Sequence, residues 1–298
     1  MITISDQERS LIFIPVLVLL MLGDAVGVRF AICNELFQGW NLEKTFDFIA
    51  KLGYEGLEIA PFTLADDVRK IAKSDREHIR ELSESYGVAV AGIHWILVTP
   101  PGLHITHPDP SVRRKTKEYM MELIRFNADI GGKIIVFGSP KQRNVLPGVS
   151  KEKAWKYARE IFQDCSRFAE DYGVVICIEP LARHLTNFIN TAEEAIRLIE
   201  EVAHPNFRLI LDVYSMCDEG KPIDEIIRSS REYLAHFHAN DDNKLGPGFG
   251  GVDYYSIAKA LKEIGYQGYV SVEVFDFSPG SEFIARKSIE NLRKFFGR

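Results

Sequence analysis

The stretch His236-Phe-His-Ala-Asn-Asp-Asp-Asn-Lys-Leu-Gly-Pro-Gly-Phe-Gly-Gly-Val-Asp-Tyr254 decides how this chain is read. An apolar run, Tyr233-Leu-Ala-His-Phe237, enters it and ends in His238. A polar, Gly-rich loop follows, and an amphipathic segment starts at Tyr254. That order is strand, functional loop, helix. Three other strand-like runs also end in one metal-ligating type of residue: Val174-Val-Ile-Cys-Ile in Glu179, Phe207-Arg-Leu-Ile-Leu in Asp212, and Tyr269-Val-Ser-Val in Glu273. The spacing is roughly one strand–helix unit each time, about 30 residues in a barrel of ordinary size. In a parallel barrel every strand's C-terminal end lies on one face. Glu179, Asp212, His238 and Glu273 are therefore expected to converge. Three carboxylates do not share a dry site without a cation. Three oxygen ligands and one imidazole suit a single Mn²⁺, Mg²⁺ or Co²⁺ ion better than a thiolate- or His-rich zinc site would. Taken singly, a Glu at a strand end is more often an ion-pair partner, and a lone His a core residue. Four successive strands that each end in such a residue point instead to a metal site.

Outward from this stretch, strand and helix patterns alternate from Val28 to the end. Strands are expected at Val28–Cys33, Gly56–Pro61, Val88–Trp95 and Lys133–Gly138, and then at the four runs that end in the ligand set. Helices follow each, for example from Asn41 to Gly53, with an N-cap candidate at one end and a closing glycine at the other. Thr191-Ala-Glu-Glu opens another with a capping-box pattern. The strands are short, continuous and apolar, as when both faces are buried. Eight such units predict a (β/α)8 TIM barrel in a single domain, residues 28–298. A doubly wound open sheet is disfavoured, because no Gly-rich dinucleotide fingerprint follows the first strand.

Residues 1–27 do not match this pattern. Leu11-Ile-Phe-Ile-Pro-Val-Leu-Val-Leu-Leu-Met-Leu22 is too short to span a bilayer, which needs about 20 apolar residues. It resembles a signal core, yet Asp6 and Glu8 stand in the flank before it. A mis-assigned start, a signal or anchor, and an extra ordered element all remain open for it. The expected location is cytoplasmic unless that segment is a working signal. The composition is that of a soluble globular protein, 46% hydrophobic and 26% charged, and the net charge of −6 argues against nucleic acid as a partner. Cys33, Cys165, Cys177 and Cys217 show no paired spacing and are expected to be buried free thiols.

Several segments carry a family resemblance: Ile178-Glu-Pro-Leu, Asn187-Phe-Ile-Asn-Thr, Leu211-Asp-Val-Tyr, His238-Ala-Asn-Asp, Pro247-Gly-Phe-Gly-Gly-Val-Asp and Ser271-Val-Glu. Together they resemble the sugar phosphate isomerase/epimerase group of xylose-isomerase-like TIM barrels, and most of all ketose epimerases of the D-tagatose 3-epimerase type. The resemblance covers about residues 28–298. It implies one metal, usually Mn²⁺, on Glu179, Asp212, His238 and Glu273, with Glu179 and Glu273 also moving the substrate proton. The chain departs from that group at three substrate contacts. Leu185 stands where a second Glu is usual, Ser215 where a His is usual, and Lys244 where an Arg is usual. Arg183, His184, Lys244 and His94 would give the site a more cationic rim, suited to an acidic keto-sugar. The expected substrate contacts are thus Arg183, Ser215, Lys244 and His94.

The expected activity is metal-dependent epimerisation or isomerisation of a keto-sugar or keto-sugar acid, by two-glutamate proton transfer through a metal-stabilised enediolate. Strands five and eight lie nearly across an eight-strand ring, so Glu179 and Glu273 would flank a substrate from two sides. The alternative is a dehydratase or lyase acting on an inosose or keto-sugar, in which the same enediolate expels a hydroxyl. More remote is a phosphodiesterase resembling endonuclease IV, because Ser215 and Phe249-Gly-Gly replace the extra ligands that chemistry needs. A non-enzymatic binding module is the fourth reading. Self-association is left open.

Overall fold

The computed structural model describes residues 27–298. The apolar run at residues 11–22 lies outside the described residues. Eight parallel strands form a closed barrel in sequence order: β1 Arg29–Cys33, β2 Gly56–Ile59, β3 Ala89–Ile93, β4 Ile134–Phe137, β5 Val175–Ile178, β6 Phe207–Asp212, β7 Leu234–Ala239 and β8 Tyr269–Val272. Pairing of β1 with β8, from Arg29↔Tyr269 to Ile32↔Val272, closes the ring. The α-helices of the described residues are α1 (Leu42–Leu52), α2 (Lys73–Tyr86), α3 (Pro110–Asp129), α4 (Lys151–Asp171), α5 (Ala192–Val202), α6 (Val213–Met216), α7 (Ile223–Ser229), α8 (Tyr254–Glu263) and α9 (Ser281–Phe296).

Local chemistry places the helix ends. The Asn41 side chain accepts from Lys44 N at 2.8 Å and starts α1, and Gly53, at φ 85°, ends it. Thr191 caps α5 by accepting from Glu194 N at 3.2 Å. Glu194 reaches back one residue further than a capping box requires, to Asn190 N at 2.8 Å.

Side chains alternate between the two faces of each strand. In β7, Phe237 joins the main core between strands and helices, while His236 and His238 take the other face, toward the barrel interior. Small interior clusters, such as Val136, Cys177 and Ile210, fill the barrel. Strand ends deviate slightly from expectation: β5 and β8 stop one residue before Glu179 and Glu273, and β7 runs one residue past His238. Cys33, Cys165 and Cys177 are buried and free as expected, but Cys217, just after the short helix α6 (Val213–Met216), is exposed.

Candidate active site

Glu179, Asp212, His238 and Glu273 come together at the C-terminal mouth of the barrel. One ligand-type atom from each lies within 4.8 Å of the others, and all four residues are buried. His238 Nδ1 is 3.0 Å from Glu273 Oε2 and 3.9 Å from Glu179 Oε1. That nitrogen is buried and has no hydrogen-bond partner among the described residues. The other ring nitrogen, Nε2, meets Glu58 at 3.1 and 3.3 Å. A carboxylate can only accept, so Nε2 carries a hydrogen toward Glu58 and Nδ1 is left turned toward the acidic pair. Glu58 sits on β2, fully buried, and also accepts from His236 Nε2 at 2.8 Å.

The remaining lone pairs are held by neighbours. Asp212 Oδ1 accepts from Ser215 N at 2.8 Å, which caps α6, and Oδ2 accepts from the Asn240 amide. Asn240 is fixed in turn by Tyr214 N, which donates to its Oδ1 at 2.7 Å. Glu273 Oε1 receives Trp95 Nε1 at 2.9 Å and faces His94 Nδ1 at 3.2 Å. His94 Nε2 stands 2.9 Å from Glu35 Oε2, so an imidazole lies between two buried carboxylates.

The electrostatics fit a cation. Two like charges about 4 Å apart repel by roughly 4 kcal/mol at an effective dielectric near 20. Three ionised carboxylates at this spacing therefore need positive charge among them. Burial, and then the charge of Glu273, pushes the Glu179 carboxyl well above the usual range, and the same causes lift Asp212 to about 6. Burial also opposes ionisation of Glu273, but the His238 charge close by and the hydrogen bond from His94 outweigh it and hold this carboxyl down at about 2. Burial disfavours the His238 cation, yet Glu273 and Glu58 hold its imidazole well above the ordinary value. Without a metal, the centre balances its charge with protons. A divalent ion among one imidazole and three carboxylates would replace them.

Beside this centre lies a cavity of about 210 Å³. Glu179, Glu273 and His94 reach it, and its walls include Trp95, Leu181, Leu185, Tyr214 and Phe275. Gly138 faces Glu179 so closely that a Cβ there would fall 2.3 Å from Oε2. Of the expected substrate contacts, Ser215, Lys244 and His94 line the cavity, and the Ser215 hydroxyl is buried without a partner among the described residues. Lys244 holds φ at 69°, and its carbonyl accepts from Phe275 N at 2.9 Å and Asp276 N at 3.1 Å. Arg183 does not reach the cavity. Its guanidinium turns to Asp218, donating to Oδ2 at 3.0 Å and to the backbone carbonyl at 2.6 Å. His94 lies 1% exposed between Glu35 and Glu273, so it is no part of a rim. Of the residues expected to form that rim, His184 and Lys244 lie on the cavity wall.

The model of the xylose isomerase-like TIM barrel family matches residues 46–295. The chain belongs to this family. Among its relatives, the D-psicose 3-epimerase of Ruminiclostridium cellulolyticum is 28% identical over 247 residues, 80% of each chain. The 3-dehydro-D-guloside 4-epimerase of Escherichia coli is 27% identical over 249 residues, 80% of this chain and 89% of that one. The structure of D-psicose 3-epimerase from Clostridium cellulolyticum H10 with D-tagatose superposes with a TM-score of 0.81 at 23% identity, covering 90% of this chain and 99% of that one. Among the described residues of this family member, no helix is long and apolar enough to cross a membrane.

Glu58, His236, Trp95, Asn240 and Glu35 went unremarked in the sequence as parts of the site. A charged residue inside the apolar run Gly56-Leu-Glu-Ile-Ala was the available signal for Glu58. We expect Glu58→Gln to weaken divalent-cation binding about 10–100-fold, read by calorimetric titration with Mn²⁺. Wild-type affinity in that variant would remove Glu58 from this role.

Proposed function

We propose that this protein is an epimerase of keto-sugars. Glu179 and Glu273 are the paired proton-transfer groups, and Glu179, Asp212, His238 and Glu273 hold one divalent cation. The observation that carries the reading is the approach of these two buried carboxylates to a single imidazole nitrogen, at 3.9 and 3.0 Å, beside a cavity that both line. Epimerase relatives that align over about four-fifths of the chain support it. When bound, the cation would supply Lewis-acid polarisation of a ketone oxygen. Mn²⁺ is the ion we favour for this oxygen-rich set.

The chain's own residues do the rest. Glu273, oriented by Trp95 and His94, is placed to accept a proton from a carbon next to the ketone. Glu179 comes from the strand three places away in the ring and also reaches the cavity, so it is placed to deliver a proton from the other side. The two exchange roles with reaction direction. Trp95 and His94 orient Glu273, and Leu181, Leu185 and Phe275 limit water around the reacting carbon. Leu185 and Ser215 leave fewer hydrogen-bonding groups than the ketose 3-epimerases have there. Lys244 and His184 suit a keto-sugar acid.

The test is a Mn²⁺-loaded screen against neutral ketoses, keto-aldonates and inososes, with products read by NMR. A new stereoisomer of unchanged mass is expected. Loss of water would convert the reading to a dehydratase. No reaction with any of the three classes would overturn it.

A further inference from the structure

Arg143 is the largest side chain in the described structure that is fully buried. It follows β4 in a segment with no helix or strand of its own beyond a single turn at Pro140–Gln142. Among the described residues its guanidinium bonds only to backbone carbonyls. Nη1 donates to Phe137 O at 3.4 Å and to Gly138 O at 3.1 Å, Nε to Phe188 O at 2.9 Å, and Nη2 to Ile189 O at 2.7 Å. A buried cation that meets only neutral carbonyls is costly, and an apolar side chain of similar volume would fill the space without that cost. Such a residue calls for a purpose.

Its bonds all converge on the surroundings of Glu179. Phe137 O, which takes Arg143 Nη1, is also the acceptor for Glu179 N at 3.2 Å. Gly138, whose carbonyl takes the same nitrogen, is the residue against which the Glu179 carboxylate rests. Phe188 and Ile189 belong to the loop that runs on from Glu179 and carries Leu181, His184 and Leu185 into the cavity wall. Ile189 is held at φ 62°, a left-handed conformation that a β-branched residue adopts only under constraint. Its carbonyl is gripped by Arg143 Nη2 and by Leu181 N at 3.1 Å. One guanidinium thus ties the end of β4 to the loop after β5, and Glu179 lies between the two. Glu179 is also the carboxylate whose charge acts most on Arg143.

We propose that Arg143 is the positioning residue of Glu179, clamping the β4 end to the β5–α5 loop so that the carboxylate is fixed without Arg143 ever touching substrate. This rests on the proton-transfer role proposed for Glu179. The test is Arg143→Lys, which keeps the charge and loses the planar fork. If Arg143→Lys does not fold, Arg143→Gln takes its place. Folding is checked by melting. At saturating Mn²⁺ in D₂O, exchange is followed separately from each of the two substrate epimers. Exchange from the epimer served by Glu179 should fall about 100-fold, as a misplacement near 1 Å produces, while exchange from the epimer served by Glu273 changes far less. Mn²⁺ affinity by calorimetry should fall about tenfold or more, because one ligand loses its seat. Equal slowing of both epimers, or of neither, would overturn the proposal, as would failure of both variants to fold. A wild-type protein that exchanges neither epimer with solvent would instead overturn the two-base reading itself.

Discussion

In D₂O the wild-type product is expected to gain solvent deuterium at the inverted carbon, and Glu179→Gln and Glu273→Gln are each expected to lose about 10²–10⁴ in turnover. The reason is geometric. Inversion at a carbon needs removal of a proton on one face and return on the other. Glu179 follows β5 and Glu273 follows β8, three places apart in a ring of eight. Both reach the cavity, and both approach the same nitrogen of His238. Neither Asp212 nor His238 is offered as a base, because both are tied down. Asp212 accepts from Ser215 N and Asn240, and His238 is committed to Glu58. Gln keeps the size and one hydrogen-bonding oxygen while removing the basic site, so the loss per metal-loaded molecule, with bound Mn²⁺ measured in each variant, reports proton transfer more than packing or metal loss. A variant that still exchanges one epimer with solvent while no longer inverting it would assign its residue to a face. Product formed with no solvent deuterium would indicate hydride or internal proton transfer and end the two-base account.

The barrel was legible because its evidence is local and repeated. Each strand is a short apolar run between turn signals, and each of the long helices carries its own cap. The gathering of Glu179, Asp212, His238 and Glu273 was legible for a different reason. Barrel topology sends every strand end to one face, so residues far apart in sequence could be placed together without knowing a single contact. What stayed hidden depends on contacts across the ring. Glu58 reaches His236 and His238 from β2 to β7, and nothing near it in sequence marks that pairing. Arg143 sits in a connecting segment that reads as irregular, yet it holds two loops together. The helix α6 is too short for any periodicity, and only the Asp212-to-Ser215 spacing hints at its cap. Arg183 was expected in the cavity from its neighbours in sequence, but the competing carboxylate of Asp218 captured it. A side chain that long is placed by whichever partner it finds first, which no spacing rule encodes.

Asp212→Asn is expected to fold, to melt near the metal-free wild type, and to lose its response to Mn²⁺. Two effects on the metal-free protein oppose each other. The variant removes one of three crowded negative charges, which relieves repulsion with Glu179 and Glu273. It also faces the Asn240 amide with a second amide where a carboxylate oxygen had been, at a cost of about 1–3 kcal/mol for an unmatched buried donor. The cap on α6 survives, since an Asn oxygen can still accept from Ser215 N. These terms are of similar size, so little net change is expected. Cation binding has no such compensation. Three carboxylates and one imidazole balance a +2 ion and leave a slight negative excess, and removing one carboxylate deletes both a ligand and that excess. A ligand bound only by the folded state, at about 1,000 times its Kd, adds about 4 kcal/mol of stability. Wild-type protein should therefore gain several degrees of melting temperature with saturating Mn²⁺, and Asp212→Asn at the same concentration should gain almost none. Differential scanning fluorimetry with and without Mn²⁺, alongside calorimetric titration, measures both halves. Stoichiometric Mn²⁺ held with wild-type affinity by Asp212→Asn would take Asp212 out of the ligand set. An equal melting shift in the two proteins would mean that the ion stabilises the fold from some other place.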